Sequence, residues 1–139
     1  MILIWTQILL LGNFFTMVTC PGGDCTNPHQ TSLERGNSLG PYEGVFSPSG
    51  NSVLCMQWDG NLVLYRNNHV CWASYTVGGP SRLIFQRSDG NLFMLDNCTR
   101  SRVKHDFGIG RRGGAKITVS DNCRFNLYDC FDYLLSSFP

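Results

Sequence analysis

A chain of 139 residues with a formal net charge of +1 is long enough for one domain with a core of its own, and its charge balance excludes a general nucleic-acid binder. Seven cysteines in so short a chain point to an oxidising compartment, and their spacing, with no C-x-x-C pair and no matching histidine ladder, makes a zinc site a poor fit.

The first segment, MILIWTQILLLGNFFTMV, is an apolar run without an acidic or basic residue. It is short for a bilayer span and stands where a secretory leader would, so residues 1–19 read as a signal peptide cut after Thr19. A membrane anchor or a buried first strand is the competing reading. That cut would keep Cys20; if Cys20 instead leaves with the leader, six cysteines remain (Cys25, Cys55, Cys71, Cys98, Cys123 and Cys130), enough for three disulfides in about fifteen connectivities, among which sequence does not choose. Residues 21–38 are rich in Gly, Pro, Asn and Ser and read as an irregular arm or linker. The expected organisation is therefore a leader over 1–19, an arm over 20–32 and a folded body over 33–139.

From Ser52 onward, short apolar or alternating runs recur between turn signals: SVLCMQ, NLVLYR, VCWASYTV, SRLIFQ, NLFMLD, KITVS and RFNLYDC. Nearly all read as strands, and Asp59-Gly60 and Asp89-Gly90 between such runs predict hairpins. Two of these hairpins, CMQWDGNLVLY and FQRSDGNLFML, are copies thirty residues apart, and ITVSDNCRFNLYD is a worn third copy. Units that repeat at this period bury their apolar faces only against one another. The expected fold class is all-β, with three small sheets around one core.

In MQWDGNLVLY, period-two spacing sets Gln57, Asp59, Asn61, Val63 and Tyr65 along one face and Met56, Leu62 and Leu64 along the other. Two amides, a carboxylate and a phenol offer donors and acceptors for the hydroxyls of a hexose, with Val63 against its C–H surface. A polar solvent face and good turn formers would look similar. What separates the two is that Q-x-D-x-N-x-V-x-Y resembles the sugar-site motif of the bulb-type mannose-binding lectins at all five positions, and Trp72-Ala73-Ser74 resembles the segment that closes each repeat of that family. The resemblance spans about residues 33–129. It implies a β-prism of three four-stranded antiparallel sheets with pseudo-threefold symmetry, and no metal or other cofactor. It also implies that Asp59 and Asn61 hold the axial 2-hydroxyl of mannose, Gln57 the 3-hydroxyl and Tyr65 the 4-hydroxyl. Partners on this reading are mannose-containing glycans or glycoproteins, with no nucleic acid and no membrane insertion after leader removal. The resemblance further implies a homodimer through exchange of residues 130–139.

The second copy reads as a degenerate site that keeps Asp89 and Asn91, with Arg87 at the Gln position, Phe93 for Val and Leu95 for Tyr. Gln86 falls one residue off register, on the opposite face of the pleat. The third offers Ser120, Asn122, Arg124 and Asn126, from which no mannose site is expected. Beside Trp72, the aromatic core positions of the later repeats fall to Phe107 and to Phe131 or Tyr133. Asn97-Cys98-Thr99 is an N-glycosylation acceptor pattern, with Cys98 open to a competing bridge. Six of the eleven cations lie between Arg100 and Lys116, a solvated loop or an anionic-ligand patch. The G-x-G-x-x-G match at Gly108–Gly113 lacks a surrounding βαβ unit, so it reads as a glycine-rich loop. His29, His69 and His105 have no nucleophile motif beside them, and no catalytic residue is assigned. A non-sugar interaction module is the alternative function.

Overall fold

The computed structural model of the chain describes residues 30–99, 102–110 and 112–139, together with the backbone of 19–20 and 23–24. The expected leader therefore lies, up to residue 18, outside the described residues. The strands are β1 (Thr19–Cys20), β2 (Gly23–Asp24), β3 (Ser32–Glu34), β4 (Ser38–Leu39), β5 (Glu43–Phe46), β6 (Ser52–Met56) and β7 (Leu62–Arg66). They continue with β8 (His69–Ala73), β9 (Ser81–Phe85), β10 (Leu92–Asp96), β11 (Val103–Asp106), β12 (Lys116–Ser120), β13 (Arg124–Tyr128) and β14 (Leu134–Phe138). Beyond the small β1–β2 pair they form three four-stranded antiparallel sheets, ordered β5-β6-β7-β8, β11-β10-β9-β4 and β14-β13-β12-β3.

Alternation decides which side chains go inward. Leu54 and Met56 face Leu62 and Leu64 in the first sheet, Leu83 and Phe85 join Leu92 and Met94 in the second, and Ile117 and Val119 join Phe125 and Leu127 in the third. All twelve belong to one cluster and are at most 2% exposed. Each such side chain contributes roughly 1.5–3 kcal/mol when withdrawn from water. No single hairpin can shield its own inward row, so the three sheets close on each other.

The stretch 21–38 read as irregular is partly strand: β3 and Ser38 of β4 lie in it, Leu33 on β3 and Leu39 just beyond it on β4 are fully buried, and these three- and two-residue strands complete the third and second sheets. Strands this short show no alternation to read. β11, in the basic segment, and β14 were likewise invisible in the sequence because both are exposed or half-exposed sheet edges. VCWASYTV ends as a strand at Ala73, and residues 74–80 turn away as a loop. Among the described residues there is no helix, so the glycine-rich link after β11 has no dinucleotide-binding context. Residues 134–138 pair with β13 of their own chain.

The aromatic core differs in one place from the expectation. Trp72 and Phe107 meet at 6.1 Å, and both approach Phe125, at 5.6 and 5.9 Å. The third position is filled by Phe138, stacked on Phe125 at 4.6 Å, while Phe131 and Tyr133 stand exposed in the turn before β14.

All three outer strands carry a bulge at the same step, opposite Leu64/Tyr65, Met94/Leu95 and Leu127/Tyr128. The residues left unpaired are Cys71, Lys104 and Leu135. A bulge re-aims its side chain. Cys71 bonds to Cys123 in the β12–β13 turn, Lys104 reaches the 74–80 loop, and Leu135 packs on the core. Cys55 is also disulfide-bonded, whereas Cys98 and Cys130 are free and exposed, so the six cysteines do not form three bridges.

Candidate functional site

The β6–β7 hairpin sets the site. Met56 pairs with Leu62, leaving Gln57–Asn61 as a five-residue loop rather than a tight two-residue turn at Asp59-Gly60. The Gln57 carbonyl accepts from Gly60 N–H at 3.2 Å, the Asn61 carbonyl accepts from Gln57 N–H at 2.9 Å, and Asp59 Oδ1 accepts from Asn61 N–H at 2.9 Å. Gly60 takes φ +87°, which a glycine adopts without steric cost.

The following loop locks this tip from outside. Asn61 Oδ1 accepts from Ser74 Oγ at 3.1 Å and from Thr76 N–H at 3.4 Å, and Thr76 Oγ1 donates to the Gly60 carbonyl at 2.7 Å. The N–H groups of Gly78 and Gly79 donate to the Asp59 carbonyl at 3.0 and 3.1 Å. Side-chain orientation at Asp59 and Asn61 is thereby fixed before any ligand arrives. Across the same hairpin face, Gln57 Nε2 donates to Tyr65 Oη.

Exposure divides the five residues. Asp59 and Asn61 are half-exposed, while Gln57, Val63 and Tyr65 are 6%, 2% and 2% exposed. Val63 and Tyr65 belong with Phe46, Val53, Cys55 and Ala73 to a second apolar cluster, on the face of this sheet away from the main core. Trp58, at the tip, is 49% exposed.

The second hairpin corrects the expected register. Phe85 pairs with Leu92 as Met56 pairs with Leu62, so the loop runs over six residues, 86–91. Gln86 N–H donates to the Asn91 carbonyl at 2.8 Å and its carbonyl accepts from Gly90 N–H at 3.0 Å, the bonds that Gln57 makes in the first repeat. Gln86, not Arg87, therefore occupies the Gln position. One extra residue between Gln86 and Asp89 absorbs the shift that the sequence spacing implies for the strand. Asp89 Oδ1 accepts from Asn91 N–H at 2.9 Å, but Asn91 Nδ2 donates to Asp106 at 3.1 Å and its Oδ1 accepts from Gly110 N–H at 3.1 Å. Phe93 and Leu95 fill the Val and Tyr positions.

In the third repeat, five residues (120–124) again separate the inward Val119 and Phe125, which places Ser120, Asn122, Arg124, Asn126 and Tyr128 in the register of Gln57 to Tyr65. Arg124 Nε and Asn126 Oδ1 are both bonded to Ser137 Oγ, at 2.8 and 2.6 Å. Cys123 stands at the Gly60 position with φ +63° and carries the bridge to Cys71. The neighbouring Asp121 carboxyl is held below its ordinary range by hydrogen bonds from the hydroxyls of Ser49 and then Ser47.

The cations of the basic segment disperse: Arg112 bonds Ser136 Oγ at 2.9 Å, Lys116 pairs with Asp132 at 2.5 Å, and Lys104 Nζ donates to the Gly79 carbonyl at 3.0 Å. Among the described residues no group of three or more His, Cys, Asp or Glu side chains is arranged to hold a metal ion. No described helix is long and apolar enough to cross a membrane.

No family model matches the chain. It is 33% identical over 87 residues to a mannose-specific lectin of Aloe arborescens, a match covering 61% of this chain and 70% of that one. Among solved structures, a monomeric monocot mannose-binding lectin from Gastrodia elata superposes with a TM-score of 0.68 at 30% identity, over 78% of this chain and 96% of that one. The snowdrop (Galanthus nivalis) agglutinin, solved with methyl-α-D-mannoside, gives a TM-score of 0.62 at 26% identity, over 71% and 89% of the two chains.

Proposed function

Since the chain belongs to the bulb-type mannose-binding lectin family, with the β-prism fold of that family, we propose that it binds mannose-rich glycans without a metal, through Gln57, Asp59, Asn61, Val63 and Tyr65. What supports this reading most is the locked tip: backbone bonds at Gln57, Asp59, Gly60 and Asn61, with the contacts of Asn61 Oδ1 to Ser74 and Thr76, hold Asp59 and Asn61 in place and leave Asp59 Oδ2 and the Asn61 amide nitrogen to meet hydroxyl groups. Each hydrogen bond to a sugar hydroxyl contributes roughly 1 kcal/mol net, so one site binds weakly and avidity comes from several chains or several glycan arms. The second hairpin, with Gln86, Asp89 and Asn91 but a hydrophobic floor of Phe93 and Leu95, lacks the phenol and engages Asn91 with Asp106. It is assigned no mannose binding.

The test is a glycan-array screen of the chain from residue 20 onward, beside Asp59→Ala. Loss of mannose-rich binding by about tenfold or more in a variant that stays folded is the expected outcome, consistent with removing an acceptor that contributes about 1.5–3 kcal/mol when charged. The burial of Gln57, Val63 and Tyr65 favours one competing reading, a non-sugar interaction module. It predicts silence from the wild type and no effect of Asp59→Ala.

We also propose that the protein is secreted and glycosylated at Asn97. The acceptor pattern lies in the turn after β10, where Asn97 is half-buried, Cys98 and Thr99 are exposed, Asp96 Oδ1 accepts from Cys98 N–H at 2.8 Å, and Cys98 is free of any bridge. Protein made through a secretory pathway should lose the mass of one N-glycan on amidase treatment, and Thr99→Ala should lack it from the start. A wild-type chain of bare polypeptide mass would refute the assignment.

A further inference from the structure

The geometry points to a second subsite beside the Asp59–Asn61 tip, in the cleft between the 74–80 loop and the β10–β11 edge, for an adjoining sugar residue that bears an anionic group. It rests on the mannose reading, because the glycan must first be held at the tip. The cleft has a volume of about 240 Å³, and its walls include Tyr75, Thr76, Val77, Asp96, Arg102 and Lys104. That is below the roughly 300–1,000 Å³ of drug-sized pockets and on the scale of one sugar residue.

Continuity with the tip is direct. Thr76 bonds Asn61 and Gly60, and the Gly78 N–H donates to the Asp59 carbonyl. Lys104 Nζ lies 3.0 Å from where a Cβ on Gly60 would stand. The β11 bulge places that ammonium there, at the position where the first repeat carries Cys71. Tyr75 is 87% exposed and sits at φ +55°, a conformation that bulky residues seldom adopt. Ser74 and Thr76, bonded to each other at 2.7 Å and both to Asn61, hold it in place. Strain kept by such anchoring, on an exposed ring, marks a contact surface for a ligand. A tyrosine ring suits the C–H face of a pyranose.

Charge selects the chemistry. Arg102 and Lys104 face one carboxylate, Asp96, whose Oδ1 already accepts from the N–H groups of Cys98 and Thr99 at 2.8 and 3.4 Å. The cleft therefore presents a net positive lining in a chain whose overall charge is only +1. A carboxylate, sulfate or phosphate on the adjoining residue would supply the missing counter-charge.

The experiment compares three probes by calorimetry at low salt: methyl α-mannoside, an α-mannosyl disaccharide with a carboxylate on the adjoining residue, and the methyl ester of that disaccharide. The expected result is an acid that binds about five- to tenfold tighter than its ester, a preference that shrinks as salt rises. Arg102→Gln should erase the preference while leaving methyl α-mannoside binding unchanged, and Tyr75→Ala should weaken both disaccharides but not the monosaccharide. Equal affinity of acid and ester, or a preference that survives Arg102→Gln, would overturn the subsite and leave the mannose site standing. Failure of all three probes, methyl α-mannoside included, would overturn both.

Discussion

Gly60→Ala is expected to lower stability by at least about 2 kcal/mol and to abolish glycan binding together with it. Two costs combine at this position. A non-glycine residue at φ +87° is strained by about 1–2 kcal/mol, and the added Cβ would come closer than 3.0 Å to the Gly79 carbonyl oxygen, which is backbone and cannot rotate aside. Relief requires the 74–80 loop to retreat. That loop is what orients Asn61, through Ser74 and Thr76, so the damage spreads from fold to site. Gly50→Ala separates the two costs, because Gly50 has φ +78° with nothing within 4 Å of its missing Cβ. Chemical denaturation and glycan binding measured on both variants should show a modest loss of stability in Gly50→Ala with binding intact. Equal behaviour of the two would mean that the contact with Gly79 is unimportant.

Removing the Cys71–Cys123 bridge with a double Ser substitution should cost on the order of 4 kcal/mol, because the sequence separation of 52 residues makes the loop it closes in the unfolded chain long. For a domain of this size that corresponds to a melting temperature lower by roughly 10–20 °C. The bridge ties the first sheet, at the β8 bulge, to the hairpin tip of the third, where Cys123 sits at φ +63° in place of a glycine. The equivalent junction between the second sheet and the first is made by Lys104 and the Gly60–Gly79 contact, which has no covalent link. Thermal unfolding of the double variant therefore reports how much the prism depends on its one described cross-sheet bond. An unchanged melting temperature would show that this bridge adds nothing to what the apolar core and the remaining disulfide at Cys55 supply.

Side-chain alternation has a fixed period of two, so the sequence by itself determined which residues of the first repeat face the core. Met56, Leu62 and Leu64 were placed inward, and Gln57 and Tyr65 opposite them, from spacing alone. The three copied hairpins likewise implied three sheets that must share one interior, and the five-position motif identified the family. Tertiary structure decided whatever depends on a partner far away in the chain. Leu33 and Leu39 lie in strands too short to announce themselves and become strands only because β12 and β9 offer unpaired edges. Phe138 rather than Phe131 or Tyr133 completes the aromatic core because β14 pairs with β13 and carries it there. Gln86 recovers the register of Gln57 because strand pairing fixes the two ends of the loop, and an inserted residue then bulges from the tip instead of turning the strand over. The pairing of Cys71 with Cys123 follows from two sheets meeting at a bulge and a hairpin tip, a proximity that no local spacing encodes. Local pattern fixes the face on which a residue lies, and long-range strand pairing and sheet closure fix which other residue it meets there.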